Sequence, residues 1–437
     1  MTYVPHTEKE RLDMLEYLGC SDIEELFRDI PEAVRLKRGL DLPAGKSEFE
    51  ALAEMEELAA KNTVFKSIFR GAGSYDHYIP AVVNHLASRS ELVTAYTPYQ
   101  PEISQGVLQA IFEYQTTICM LTGMDASNAG VYDGSHAAAE AFAMCRDRKR
   151  GKLVTFDNIK PQTLEVLKTY TAAAGAEIKV LPSKGGLCDT VALGSAVDAE
   201  TACVYIETPS FFGLLEDAGA VCEIAHGAGA KLIIGANPLS LAVLKTPAEY
   251  GADIAVGEAQ PLGLPLSFGG PYLGYIAVRS ADARKLPGRI AGETTDSEGR
   301  RALVLTLQAR EQHIRREKAG SSICSNEALC AVRVTIYCAA LGKEGLREVA
   351  GRCIDNSHYL ASRLCEIPGF EMKYTGEFFN ELVTACPVNA PALMKKLEGE
   401  GILGGLPLDD RSVLWCATEK NGKESIDRLI KLIREGI

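Results

Sequence analysis

At 437 residues, 46% of them hydrophobic, the chain is too long for one ordinary domain and can bury a large core without staples. Its formal net charge of −12 argues against a polyanion such as nucleic acid as the main partner, and no apolar run is long enough to span a membrane. The thirteen cysteines contain no C-x-x-C pair, and several lie inside apolar runs (Cys119, Cys203, Cys222, Cys338). They read as small buried hydrophobes in a reducing compartment, not as a disulfide framework. The seven histidines are scattered, and no Cys/His cluster has zinc-ligand spacing. Met1 to Lys9 is polar and of mixed charge, without signal-peptide character, so the expectation is a cytoplasmic globular protein.

Residues 1–60 read as a helical arm. Thr7-Glu-Lys-Glu10 and Ser21-Asp-Ile-Glu24 both have capping-box spacing, in which a hydroxyl and a carboxylate three residues on satisfy the orphan N–H groups of a helix start. Leu12, Leu15 and Leu18 give the first helix an apolar stripe, and such an arm is expected to wrap a neighbouring domain or subunit. From 61 to 330, short apolar runs alternate with helical stretches. The spacing predicts strands at Lys152–Phe156, Glu177–Pro182, Cys203–Glu207, Lys231–Ile234, Asp253–Val256 and Gly274–Val278, with helices at Leu164–Ala174 and Asp217–Ala228. This is an α/β pattern. It implies a mainly parallel sheet covered on both faces, with a ligand site at the carboxyl ends of the strands. From 331 to 437 the texture changes to that of a small C-terminal α+β domain. A long helix over Asn326–Ala340 leads into the segments Phe370–Tyr374 and Leu382–Cys386, a helix at Pro391–Gly399, a strand at Val413–Ala417 and a last helix from Ser425.

Three stretches could carry chemistry. Tyr96-Thr-Pro-Tyr-Gln-Pro-Glu-Ile-Ser-Gln-Gly106 displays two Tyr, two Gln, a Thr, a Glu and a Ser in eleven residues, and its prolines and final glycine force an irregular loop. It is either a rigid polar lead into the following Leu108–Leu121 helical run, with Ser104 as N-cap, or a pre-organised set of donors and acceptors facing a ligand. On the second reading Tyr96, Thr97, Tyr99, Gln100, Ser104 and Gln105 line a pocket, and Glu102 is the one carboxyl group available for proton transfer. Tyr132-Asp-Gly-Ser-His-Ala-Ala-Ala-Glu140 opens a helix whose first N–H groups can hold a phosphate or carboxylate, which makes Ser135 and His136 candidates. The alternative there is a plain N-cap at Ser135 and a hydrogen-bonding His136. Gln308 to Lys318 carries Arg310, His313, Arg315, Arg316 and Lys318. It is either a solvated helix face countered by Glu311 and Glu317, or an anchor at a subunit interface or near an anionic site. There is no G-x-S-x-G elbow, Walker loop or dinucleotide G-x-G-x-x-G.

Taken in order, Gly71-Ala-Gly-Ser-Tyr-Asp-His-Tyr-Ile-Pro80, the 96–106 loop, Tyr132 to Ala141 and Arg310 to Lys318 resemble the signature segments of the glycine decarboxylase P-protein family of the glycine cleavage system. Pro5-His-Thr7 and Glu24 to Pro31 resemble its N-terminal arm, so the likeness runs along essentially the whole chain. The family's single-chain members are about twice this length, other members are split into two subunits, and this chain resembles the first half. The resemblance implies the aminotransferase-like (type I) pyridoxal-phosphate fold. It also implies decarboxylation of glycine with pyridoxal phosphate and transfer of the aminomethyl group to the lipoyl arm of H-protein. The lysine that holds the cofactor in this fold is missing: Thr246 to Arg284 contains none, and Glu258-Ala-Gln260 stands where it is expected. Ala236-Asn237-Pro238 stands where a carboxylate should pair with the pyridine nitrogen. The implied cofactor is therefore expected on a lysine-bearing partner subunit, in a heterotetramer of two subunits of each kind, and the isolated chain is expected to be inactive. The rival readings are a catalytically inert structural partner of the same fold and an independent lyase using an unrecognised lysine.

Overall fold

The structure, a computed structural model, describes residues 5–94, 97–98, 100–323 and 327–436. The chain divides into two compact units, residues 1–63 and 64–437.

In the first unit Thr7 and Glu10 form the expected capping box on the helix Glu8–Leu18. The second expected box is not one. Asp22, not Ser21, caps a short 3-10 helix over Ile23–Phe27, its carboxylate accepting the N–H groups of Glu24 and Glu25, while the Ser21 hydroxyl donates to Glu25 at 2.7 Å. A third helix, Glu48–Ala59, starts on a capping box from Ser47 and Glu50. Leu15 is buried, but Leu12 and Leu18 are more than half exposed.

The second unit is built on a seven-stranded sheet with the order Ala126–Ser127, Gly274–Val278, Ile254–Glu258, Lys231–Gly235, Thr201–Glu207, Lys152–Phe156, Ile178–Leu181. The strands from Ile178–Leu181 across to Ile254–Glu258 run parallel, and Gly274–Val278 is antiparallel to Ile254–Glu258. Side chains alternate between two cores because strand period is two. Val154, Phe156, Val204, Ile206, Leu232 and Ile234 pack on one face, with Tyr114 and Tyr337. Leu153, Cys203, Tyr205 and Ile233 pack on the other, under Ala137, Ala138 and Ala141 of the helix Gly134–Cys145. That row of alanines lets the helix axis come close to the sheet, so its first turn reaches the strand ends. No helix among the described residues is long and apolar enough to cross a membrane. The twelve described cysteines are free thiols.

A small lobe packs around Trp415, Leu382, Leu393, Leu429 and Ile433, with Trp415 Nε1 donating to Thr384 Oγ1 at 2.9 Å. Its sheet runs Glu381–Ala385, Ser412–Cys416, Leu406–Asp409, all antiparallel. The Phe370–Tyr374 segment joins this sheet through one bridge, Met372 with Thr384. The expected 326–340 helix is far longer, Ala328–Cys365, interrupted where Gly342 takes φ 61° and ψ −175°. The 308–318 stretch is not one helix but three short turns, with Leu307 and Arg316 at positive φ.

The lobe meets the sheet at Gly213, where φ is 85° and an added Cβ would lie 1.9 Å from the Glu381 carbonyl oxygen. Gly213→Ala is therefore expected to cost about 2–5 kcal/mol through backbone strain and steric overlap. Urea unfolding checks this, and an unchanged midpoint would contradict it.

Candidate functional site

The strands Thr201–Glu207, Lys231–Gly235 and Ile254–Glu258 end on a cavity of about 360 Å³. It is walled by the 72–74 loop and the first turn of the Gly134–Cys145 helix, as expected for an open α/β sheet. Three carboxylates line it, Asp133, Glu207 and Glu258, against a single lysine, Lys160.

Glu258 is the last residue of its strand and is buried. Its Oε2 accepts the Gly134 N–H at 3.0 Å, and its Oε1 accepts those of Gln260 and Leu273 at 3.0 and 2.9 Å. Burial pushes this carboxyl up to about 7; the three N–H donors pull against that, and the charge of Asp133 adds to it. Asp133 caps the same helix, accepting the His136 N–H at 2.9 Å. The protein's own carboxylates thus take N–H groups of the helix start that could otherwise hold an external anion.

Gln260, 1% exposed, stands beside this carboxylate and is held on both sides of its amide. Its Oε1 accepts the Tyr75 N–H and its Nε2 donates to the carbonyls of Tyr75 and Leu264, each at 2.9 Å. Tyr75 in turn donates its hydroxyl to Glu381 of the small lobe at 2.7 Å, and the Ala72 N–H donates to the same carboxylate at 2.6 Å. Glu207 accepts the Tyr205 hydroxyl at 2.9 Å and the Lys160 N–H at 3.0 Å. Asn237 accepts the Leu239 N–H at 3.0 Å through Oδ1, and its Nδ2 is buried without a partner.

A covalently held pyridoxal phosphate does not fit this set of residues. The expected lysine position carries Gln260, an amide that forms no imine and whose Nε2 donates to Tyr75 and Leu264. The helix start is occupied by carboxylates, and the cavity has more negative than positive side chains, which opposes a phosphate. Asn237 offers no charge to a pyridine nitrogen.

The candidates read from the sequence divide. Ser135 lines the cavity, its hydroxyl 3.2 Å from that of Thr163, but the N-cap is Asp133 and not Ser135. His136 is half-buried, with Nδ1 3.0 Å from Asp133 Oδ2, a hydrogen bond that raises the pKa of the imidazole, and it does not line the cavity. Tyr96 and Tyr99 lie outside the described residues. Thr97 is half-buried, and Gln100 and Glu102 are exposed. The helix starts at Pro101 with Gln100 in the cap position, so the expectation of Ser104 as N-cap does not hold. Ser104 sits inside the helix at a kink, 4% exposed. The Gln105 amide pairs with both the N–H and the carbonyl of Leu303, each at 2.8 Å, fastening the helix to the Arg301–Thr306 strand. None of Thr97, Gln100, Glu102, Ser104 and Gln105 lines the strand-end cavity. Sequence reasoning missed Glu207, Glu258 as a ligand of backbone N–H groups, Lys160 and Glu381. Two of them carried a signal, because Glu207 and Glu258 each put a carboxylate at the carboxyl end of a buried apolar strand.

The sheet order, the strand-end cavity and the small lobe define the aminotransferase-like (type I) pyridoxal-phosphate fold. Glutamate decarboxylase of Lactobacillus brevis shares it at 12% identity, a TM-score of 0.69 and coverage of 92% and 95% of the two chains, a likeness of fold alone. A family model described as glycine cleavage system P-protein matches residues 1–433. The chain belongs to the glycine cleavage system P-protein family. It is 47% identical over 438 residues to a probable glycine dehydrogenase (decarboxylating) subunit 1 of Desulforamulus reducens, covering 98% of each. A protein of the same description from Moorella thermoacetica is 48% identical over 441 residues, covering 99% of each. The crystal structure of a glycine decarboxylase (P-protein) of the glycine cleavage system, in inhibitor-bound form, matches with a TM-score of 0.94, 44% identity and full coverage of both chains.

Glu258 gives the fold a pH dependence of defined sign. A carboxyl raised in the folded state from 4.5 to about 7 contributes stability that is present below its unfolded pKa and lost as pH rises through about 7. Between about pH 5 and 8, wild type is expected to lose up to about 3 kcal/mol relative to Glu258→Gln. Denaturant unfolding of both proteins at the two pH values measures this, and a constant difference between them would contradict it.

Proposed function

We propose that the chain is the non-lysine subunit of a two-subunit glycine decarboxylase. With a lysine-bearing partner it decarboxylates glycine and passes the aminomethyl group to the lipoyl arm of H-protein. The observation that carries this reading is the combination of a family match along residues 1–433 with a strand end where Gln260 and Glu258 occupy the lysine's surroundings. Pyridoxal phosphate then belongs to the partner subunit, and the working assembly is a heterotetramer of two subunits of each kind in the cytoplasm.

The first 60 residues support a large subunit interface. Tyr17, Val34, Leu40, Leu42 and Phe49 are each more than two-thirds exposed. So many large apolar side chains in water point to an obligate contact, typically above ~2,000 Å². The 96–105 loop is the part of this chain assigned to the glycine and lipoyl-arm pocket. Glycine has no side chain to recognise, so selection has to come from excluding larger substrates and fixing the carboxylate. Rigid rings at Tyr96 and Tyr99 suit the first task, and polar groups at Thr97 and Gln100 suit the second. Glu102 and Ile103, exposed at the start of the helix, offer a face to a partner.

The purified chain alone is expected to show no glycine-dependent carbon dioxide exchange and no stable cofactor band with pyridoxal phosphate. Mixing it with a lysine-bearing subunit of the same family should give a stable complex with exchange activity. Robust exchange by the isolated chain would overturn the assignment, as would a free monomer persisting at sub-micromolar concentration in the mixture.

Within the reconstituted complex, Glu102→Gln and Tyr96→Phe are expected to lower turnover by about tenfold or more, a typical size for a lost acid–base or positioning group. Assembly and cofactor absorbance should be unchanged. Normal turnover by both variants would make the loop a helix cap only.

A further inference from the structure

The chain has a net charge of −12, yet one cleft concentrates positive charge. It lies between the end of the Gly134–Cys145 helix, the 284–289 segment and the 310–323 segment, and encloses about 460 Å³. Five arginines and two lysines line it against two glutamates, and it shares no residue with the strand-end cavity.

Two of these arginines are built into the wall. The half-buried Arg310 donates to the carbonyls of Leu286 and Gly288, the latter at 2.6 Å, and so ties the turns after Leu307 to the 286–288 segment. Arg146 donates to the Ala174 carbonyl at 3.1 Å and lies 5.6 Å from the centre of the Phe142 ring. Carbonyls hold these guanidinium groups in place without cancelling their charge, and the Nε of each is buried with no partner. A buried unsatisfied donor costs about 1–3 kcal/mol.

Of the outer groups, Arg284, Arg315 and Lys318 carry charge that no carboxylate meets among the described residues. Lys285 pairs with Asp282 at 3.3 Å. Arg315 donates only to the Ala309 carbonyl, at 3.1 Å. Of the two glutamates, Glu140 is raised by burial and so is the weaker counter-charge, and Glu311 keeps one buried oxygen unpartnered. Cations held together in a concave wall repel one another unless an anion enters, and the wall focuses their field on whatever does.

We propose that this cleft binds a small oxyanion of the phosphate class, either free phosphate or the phosphate group of a larger small molecule. Planar guanidinium groups present paired N–H donors that match the edge of a tetrahedral oxyanion, and arginine is preferred over lysine for that reason. A cleft of this volume takes a phosphate monoester with room for a short organic part. A dianion also neutralises more of the excess charge than a carboxylate does.

The test is titration of the full-length chain with inorganic phosphate by calorimetry, in chloride buffer at constant ionic strength. Saturable one-to-one binding is expected, weakening as salt is raised. Arg284→Glu and Lys318→Glu, both at exposed positions, should each weaken it by about tenfold or more, while Lys61→Glu on the first unit should leave it unchanged. Melting curves like wild type will establish that the reversed variants are folded. Phenyl phosphate binding more tightly than phosphate assigns the cleft to a phosphorylated molecule, and equal affinity assigns it to the free ion. The proposal is overturned by the absence of saturable binding, by affinity that both reversals leave unchanged, or by acetate binding as well as phosphate does.

Discussion

A carboxylate removed from water has to be met by donors, and Glu258 is met by backbone N–H groups from three places at once. Gly134 opens a helix, Gln260 follows the Ile254–Glu258 strand, and Leu273 leads into the antiparallel Gly274–Val278 strand. One side chain therefore joins the helix that covers the sheet to the point where strand direction reverses. The contact is tight on the backbone side as well: a Cβ on Gly134 would lie 2.9 Å from the Glu258 nitrogen. Each of the three N–H groups would otherwise be an orphan in a buried place.

The same arrangement accounts for the polar groups at the strand end without an external ligand. The strand end is pre-shaped to collect polar groups, and something has to satisfy them when no external anion is bound there. Glu258 and Asp133 do so from inside the chain. Gln260 then turns its amide toward the 71–75 loop, and that loop reaches the small lobe through Tyr75 and Glu381. Further along, Thr418 donates to the Asp76 carbonyl at 2.9 Å, Lys420 pairs with Asp76, and His77 and the Tyr78 N–H meet Glu419 at 2.7 and 2.6 Å. The seam between sheet and lobe is thus polar and continuous from residue 72 to residue 78. Its stability depends on groups that line or adjoin the cavity.

Much of this framework was legible in the sequence. Lys152–Phe156 and Gly274–Val278 were read with correct ends, because buried apolar runs bounded by turn residues have few alternatives. The missing lysine was legible too, since an absence over Thr246–Arg284 needs no geometry. What replaces it was not, because the partners of Glu258 and Gln260 come from residues 124 and 185 positions away in the chain. For the same reason spacing along the chain could not reveal that His77, Cys353 and Glu419 lie side by side. At Ser21 and Ser104 the local signal itself misled. A hydroxyl before an apolar run looks like a cap wherever it falls, but Asp22 and Gln100 take those positions, the latter because Pro101 is already set for the first helical residue. The 308–318 stretch failed differently: its charges are helix-compatible, but positive φ at Leu307 and Arg316 breaks it into turns.

Those turns matter because of the sign of the charge they present. The strand-end cavity holds three carboxylates and one lysine, whereas the cleft formed with the turns holds seven cations and two carboxylates. Two concavities on one chain therefore have opposite preferences, and a net charge of −12 describes neither. The negative one is satisfied internally, since its carboxylates are bound by backbone N–H groups and by hydroxyls. The positive one is not: its buried guanidinium groups keep N–H donors unpartnered, and only one of its lysines has a carboxylate to face. A protein interior tolerates polar groups in proportion to how completely they are paired. By that measure the carboxylates of the strand-end cavity are met from within the chain, whereas the cleft leaves the Nε of Arg146 and of Arg310 unmet.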